Sequence, residues 1–310
     1  MKVLGRPLRR RTSGSQAANP AGNLPGNLPG NPAGNLAVDL AARTWRRAQR
    51  ATRRWALRGV LIGGLLGGLL FAPATWLAQA LSHASAERLL LADATGSVWH
   101  GSAVLVLQGG AGSHDAAALP GRLHWSITPA WGGAQVTLQH ACCLQGDLQI
   151  AVRPGLSGVT LQVPARPNGI GQWPARWLVG LGTPWNTLQL GGSIRLSSDG
   201  LTLLAAQGKT RLSGALVVQL VGASSRISPI DPLGNYRFSV RGDAQGGDGA
   251  SLVLDTAEGA LRLSGTGLWT GSGLRFRGEA RAAEGFEVGL SNLLNIIGRR
   301  QGALSVISIG

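Results

Sequence analysis

Beyond residue 95 the chain alternates between apolar and polar positions. Leu252 and Leu254 alternate with Val253 and Asp255, Leu261 and Leu263 with Arg262 and Ser264, and Leu274 and Phe276 with Arg275 and Arg277. A period of two sends neighbouring side chains to opposite faces, so these runs read as strands with one packed and one wet face. Asp199-Gly200, Gly246-Gly247-Asp248-Gly249, Glu258-Gly259 and Gly271-Ser272-Gly273 separate the runs as hairpin signals. Strands are predicted near 96–108, 119–127, 133–140, 146–153, 157–163, 187–197, 200–206, 210–221, 235–242, 250–255, 259–269, 272–282 and 303–309. The fold class that follows is mostly β, an elongated antiparallel sheet or a sandwich. Its edges need cover, from the last helix or from a partner.

Helical spacing is rarer. Pro174 opens a short predicted helix over 174–181, ending near Gly182. Leu290, Leu293, Leu294, Ile296 and Ile297 predict a second helix that stops at Gly298.

The third helical signal is of another kind. Residues 59–81 carry no charge, and seven arginines (Arg43, Arg46, Arg47, Arg50, Arg53, Arg54 and Arg58) precede them. At 1.5 Å per residue such a helix spans a hydrocarbon core of about 30 Å. Gly63 with Gly67 and Gly64 with Gly68 make a face suited to close helix contact, and Trp55 and Trp76 sit near the ends. Positive charge stays on the cytoplasmic side, so the expected topology is N-terminus inside and the remainder outside. Four segments follow: a disordered cytoplasmic tail over 1–42 built on Asn-Leu-Pro-Gly repeats, a basic juxtamembrane segment over 43–58, a single transmembrane helix over 59–81, and a β-rich periplasmic domain over 82–310.

The formal charge of +15 invites a nucleic-acid reading, but its location argues otherwise. Residues 1–81 hold 12 Lys+Arg and one acid, whereas 82–310 hold 17 Lys+Arg against 13 acids. Most of the excess flanks the apolar stretch, where it suits anionic lipid headgroups of the bilayer. The remainder lacks a dense basic run, which argues against nucleic acid.

No catalytic constellation stands out, and no cofactor is expected. Gly265-Thr-Gly267 followed by Gly271 has the wrong spacing for a dinucleotide fingerprint and lies in a strand pattern. The one local cluster is His140-Ala141-Cys142-Cys143, with His124 on a neighbouring strand. It has three readings. It is a metal site lacking a full tetrahedral set; a vicinal disulfide, Cys142 to Cys143, kinking the chain before Gly146; or two small apolar side chains at a turn. Trp99, Trp125, Trp131, Trp173, Trp177, Trp185 and Trp269 are read as core residues at strand ends, ahead of a lipid or sugar platform.

Gly96-Ser-Val-Trp-His-Gly101, Leu123-His-Trp125 and Leu181-Gly-Thr-Pro-Trp-Asn-Thr-Leu-Gln-Leu-Gly-Gly192 occur in a recognisable order. Ser228-Pro-Ile-Asp-Pro-Leu-Gly-Asn-Tyr236, Asp255-Thr-Ala-Glu-Gly-Ala-Leu-Arg-Leu-Ser-Gly-Thr-Gly267, Leu293-Leu-Asn-Ile-Ile-Gly-Arg-Arg-Gln-Gly302 and Ser305-Val-Ile-Ser-Ile309 follow. Together they resemble protein N of the bacterial type II secretion system, over roughly residues 55–310. The resemblance implies a bitopic inner-membrane protein that is not an enzyme. Its implied role is to link or stabilise the inner-membrane platform and the outer-membrane secretin, beside the bitopic protein C. It supplies no catalytic, cofactor or metal residues to carry over. The tail 1–42 departs from a family whose cytoplasmic portion is short. The alternative reading is an anchored periplasmic lipid-handling protein with an apolar β-groove.

Overall fold

The computed structural model describes residues 55–310 apart from 157, 207, 243–248 and 271–272. The expected tail over 1–42 and the basic stretch up to residue 54 lie outside the described residues. Two compact units divide the chain, Met1–Gly64 and Leu65–Gly310. Residues 55–64 of the first are helical, and the Arg58 guanidinium lies 5.3 Å from the centre of the Trp55 ring, within cation–π reach.

In the second unit residues 65–70 are helical, and the chain then breaks at 71–73. The helix expected without interruption over 59–81 is therefore not formed. Pro73 has no N–H to continue the ladder, and the exposed carbonyls find partners elsewhere. The Ala72 carbonyl accepts from the Val98 N–H at 2.8 Å, and the Leu69 carbonyl from Trp99 Nε1 at 2.9 Å. No helix among the described residues is long and apolar enough to cross a membrane. The second half of the apolar stretch becomes α1 (Ala74–Ala84), which packs on the sheet. Leu77, Ala78 and Leu81 share one face and lie against Leu91, Ala103 and Trp125. Ser85 ends α1, its hydroxyl holding the N–H of Leu89 at 3.1 Å.

Sixteen strands then form one antiparallel sheet. They are β1 (Leu89–Gly96), β2 (His100–Gln108), β3 (Ala116–Ala118), β4 (Leu123–Ala130), β5 (Gly133–His140), β6 (Leu148–Gly155), β7 (Gly158–Val163), β8 (Arg166–Pro174), β9 (Leu190–Ala206), β10 (Lys209–Ser225), β11 (Gly234–Gly242), β12 (Ala250–Gly259), β13 (Leu261–Trp269), β14 (Leu274–Ala282), β15 (Arg299–Gln301) and β16 (Leu304–Ile309). The order is a meander: β1-β2-β4-β5-β6-β7-β9-β10-β11-β12-β13-β14-β16-β15, with β3 on β2 and β8 on β9. A 3₁₀ helix (Ala175–Leu181) ends before Gly182, and α2 (Trp185–Leu188) and α3 (Glu287–Ile297) complete the unit.

Two expected strands, 187–197 and 200–206, are one. β9 runs through Asp199-Gly200 without turning, because Gly200 takes φ +104° as a bulge opposite β10. The Ser198 hydroxyl bridges the gap, donating to the Ala215 carbonyl at 2.9 Å and accepting from the Gly200 N–H at 3.1 Å. One extra residue in a left-handed conformation absorbs what would otherwise be a hairpin.

Register sorts the side chains. Leu91, Leu105, Trp125, Leu138, Ile150, Val152, Leu161, Leu203 and Leu212 follow one another across paired strands on one face. Val218, Phe238, Leu254, Gly265, Gly278 and Ile307 continue it. Two buried clusters lie on that face. The N-terminal one joins α1 to Leu91, Ala103 and Trp125. The C-terminal one joins Leu290, Leu293 and Leu294 of α3 to Leu233, Tyr236, Leu261 and Ala280.

Candidate functional site

The two faces differ in kind. Between the two buried clusters the apolar face is half-buried: Ile150, Val152, Leu161, Leu203, Leu212 and Leu216 all keep part of their surface open. The opposite face is polar and basic. Arg275, Arg277 and Arg281 project from alternate positions of β14, with Arg262 of β13 and Arg237 and Arg241 of β11 on the same side. All six are exposed, and none makes an ion pair among the described residues. Arg262 stands directly opposite Arg281. Like charges facing across a strand pair cost stability. Asp255 and Glu279 are the acids of this patch. Alternation announced a wet face, but only the register aligns its arginines.

The ends of the sheet are blunt. At β1 the hydroxyl of Ser85 takes both the N–H and the C=O of Leu89. A register shift follows between Ala92 and Thr95, where Asp93 has φ +50°. Arg122 closes the bulge, bonding the Asp93 carboxylate at 2.5 Å and the Asp93 carbonyl at 2.6 Å. At the other end β15 is three exposed residues, two of them arginine. Short, bulged or charged edges resist further pairing.

Four tight hairpins fall at one end of the strands, the β1–β2, β4–β5, β6–β7 and β9–β10 turns, whereas the β15–β16 turn lies at the other. The segment preceding Pro73 reaches the same end, through the Pro73–Ser97 bridge and the Trp99 hydrogen bond. The tips there carry Trp131 and Leu156, both fully exposed. The other tryptophans are used differently. Trp125 is 4% exposed and donates to the Val98 carbonyl at 3.0 Å. Trp177 donates to the Ala117 carbonyl at 2.9 Å, and Trp99, Trp173, Trp185 and Trp269 are half-buried. The core reading of the tryptophans thus fails at Trp131.

At the opposite end of the strands lies the His140 turn. His140 closes β5, and residues 141–143 turn tightly, with Cys143 and Leu144 donating to the His140 carbonyl at 3.2 Å each. Cys142 and Cys143 are joined as a disulfide, with Cys142 exposed and Cys143 buried. One ring nitrogen of His140 and both sulfurs lie within 4.8 Å of one another. His124 does not join them. It pairs with Gln139, whereas His140 pairs with Leu123, so the two imidazoles sit on opposite faces. Burial, and then the neighbouring His124, holds the His140 imidazole below its ordinary pKa.

Gly265-Thr-Gly267 has a packing role. A Cβ on Gly265 would lie 2.5 Å from Cζ of Phe276, and one on Gly267 2.9 Å from its Cδ2. The bare glycines let the Phe276 ring lie flat on the sheet.

The model of the family described as type II secretion system (T2SS), protein N matches residues 87–306, well over half of the chain. The chain belongs to this family. No curated protein and no solved structure matches it. The match begins just before β1 and ends within β16, so it takes in the whole meander of this type II secretion system protein N family member. Membership makes it a component of the type II secretion apparatus, associated with other components of that system.

Proposed function

We propose that the chain is an auxiliary, non-catalytic structural part of the apparatus, stabilising the link between the inner-membrane platform and the secretin during export of folded proteins. The single observation that carries this is the family match spanning the sheet. Protein C is the proposed inner-membrane neighbour. Because both sheet edges are blunt, contact through faces is favoured over strand addition. The six arginines, none of them in an ion pair among the described residues, offer such a face to an acidic partner surface.

The proposed location is the inner membrane, N-terminus cytoplasmic and sheet periplasmic. The seven arginines before an uncharged stretch support this orientation. Packing of α1 on the sheet moves the proposed boundary of the anchor to Pro73, short of Leu81. Trp131 and Leu156, exposed at the strand end where the anchor arrives, suit the lipid interface.

The test is capture of the intact apparatus in mild detergent. Other secretion components, protein C among them, are expected to co-purify, and Arg275→Glu with Arg277→Glu is expected to weaken their retention. A chain recovered alone from secreting cells would end this reading.

The half-buried apolar face favours a second reading, lipid handling, in which acyl chains cover Ile150, Leu161, Leu203 and Leu212. Native mass spectrometry separates the two: stoichiometric lipid on the purified protein supports this reading, and a lipid-free protein removes it.

A further inference from the structure

His140 is 5% exposed, and neither ring nitrogen has a hydrogen-bond partner among the described residues. A buried polar group without a partner calls for an explanation, and a bound ion is one of the few. Beside it stand the only two cysteines of the chain. The family match supplies no reason for this pairing of residue types.

The turn that carries them is held from both sides. Its own carbonyl at His140 takes two N–H groups, and the Cys143 carbonyl accepts from the Gln172 N–H of β8 at 2.8 Å. Gln145 donates to the Ile170 carbonyl at 3.0 Å. Gly171 makes this approach possible, since a Cβ there would lie 2.2 Å from the Cys143 oxygen. Ligand-bearing residues are thus fixed by strand pairing, as a preorganised site requires.

We propose that, with its disulfide opened, this turn binds one thiophilic d¹⁰ cation through Cys142 Sγ, Cys143 Sγ and one ring nitrogen of His140. Thiolates and imidazole select Cu(I) and Zn(II) over harder ions. Three ligands, with no fourth His, Cys, Asp or Glu in the cluster among the described residues, favour trigonal Cu(I) over tetrahedral Zn(II). Metal–ligand bonds of about 2.0–2.3 Å bring ligand atoms to roughly 3.5–4 Å of one another, so the two sulfurs move apart once their bond is opened, while the imidazole already lies within 4.8 Å of both. Cys142 is exposed, which gives the ion its path of entry.

The opening step balances with a dithiol as reductant. The Cys142–Cys143 sulfur–sulfur bond breaks and takes up two electrons and two protons to give two thiols. The reductant's two thiols lose the same and close to a disulfide. Cation binding then releases both thiol protons to solvent. The site is therefore occupied in a reducing setting and closed in an oxidising one.

The test uses the full chain in detergent, without oxygen, with and without prior reduction by a phosphine. Each sample is titrated with Cu(I) held by a chromogenic chelator. One Cu(I) per reduced chain, none per oxidised chain, and X-ray absorption with both sulfur and nitrogen neighbours are expected. Cys142→Ser alters an exposed side chain and is expected to abolish stoichiometric uptake while the fold persists by circular dichroism. His140→Asn is expected to remove the nitrogen signal and weaken binding roughly tenfold or more. No uptake by the reduced chain, full uptake by Cys142→Ser, sulfur-only coordination, or preference for four-coordinate Zn(II) would each overturn the proposal.

Discussion

The guanidinium of Arg122 reaches across two strands to hold Asp93, bonding its carboxylate at 2.5 Å and its backbone carbonyl at 2.6 Å, while Nε meets the Ser102 hydroxyl at 3.1 Å. Asp93 sits at φ +50° in the bulge of the edge strand. Because the pair is partly exposed, its Coulomb contribution is small, and its effect is to keep the bulge closed. Arg122→Ala should cost about 1 kcal/mol and raise amide exchange selectively over residues 91–95. Unchanged exchange there would mean that the bulge holds itself.

Tyr236 is the only tyrosine of the chain. It is 6% exposed, and its hydroxyl donates to the Leu261 carbonyl at 2.9 Å. Burial pushes its pKa well above the ordinary value of 10.0. Above pH ~10 the unfolded chain releases the phenol proton while the folded chain retains it. Stability should therefore fall as pH rises beyond the unfolded value. Tyr236→Phe should cost about 1–2 kcal/mol at neutral pH, by leaving the Leu261 carbonyl unpaired, and should remove this alkaline dependence. Melting temperatures of both proteins across alkaline pH, with phenolate absorbance as the direct readout, check the sign.

Arg262 and Arg281 face each other on the wet side of β13 and β14. Arg262→Glu turns a repulsive pair into an attractive one and should stabilise the sheet by roughly 0.2–1 kcal/mol, most at low salt. A destabilised variant would imply that an anion already bridges the pair.

Gly265→Ala places a methyl where Phe276 Cζ, Gly278 Cα and the Arg277 oxygen lie 2.5, 2.9 and 3.0 Å away. Two of these are backbone and yield little. The expected loss is about 1–3 kcal/mol, measured by denaturant midpoint, and Phe276→Leu in the same chain should recover part of it by shortening the obstructing side chain.

The strands with clean alternation were legible: β5, β7, β11, β13 and β14 lie within about two residues of their expected bounds. So were the 3₁₀ helix after Pro174 and α3 before Gly298. The strands β1, β3, β8 and β15 were not. β1 reads Leu-Leu-Leu-Ala, a run with no period of two, and β8 is rich in Gly and Pro and pairs with an irregular register. Asp199-Gly200 has the composition of a turn, and only the partner strand shows it to be a bulge. The uncharged stretch 59–81 hid its break because hydropathy takes no account of Pro73 or of the carbonyls to which Val98 and Trp99 donate. His124 and His140 lie on adjacent strands, as the sequence suggests, but face depends on register, which composition does not encode. The arginine patch was missed for the same reason.

From β9 to β14 each strand is templated by the one synthesised just before it. A chain arranged in this way has little long-range loop closure to pay along that stretch. It can zip up residue by residue as it emerges from a ribosome or a translocation pore, whereas a Greek key must wait for its distant partner. The terminal hairpin of β15 and β16 departs from this order, since β16 rather than β15 docks on β14. That swap makes the last few residues the latch of the sheet: until Leu304–Ile309 is out, β14 lies open-edged, and truncation before Ser305 leaves the assembly unfinished.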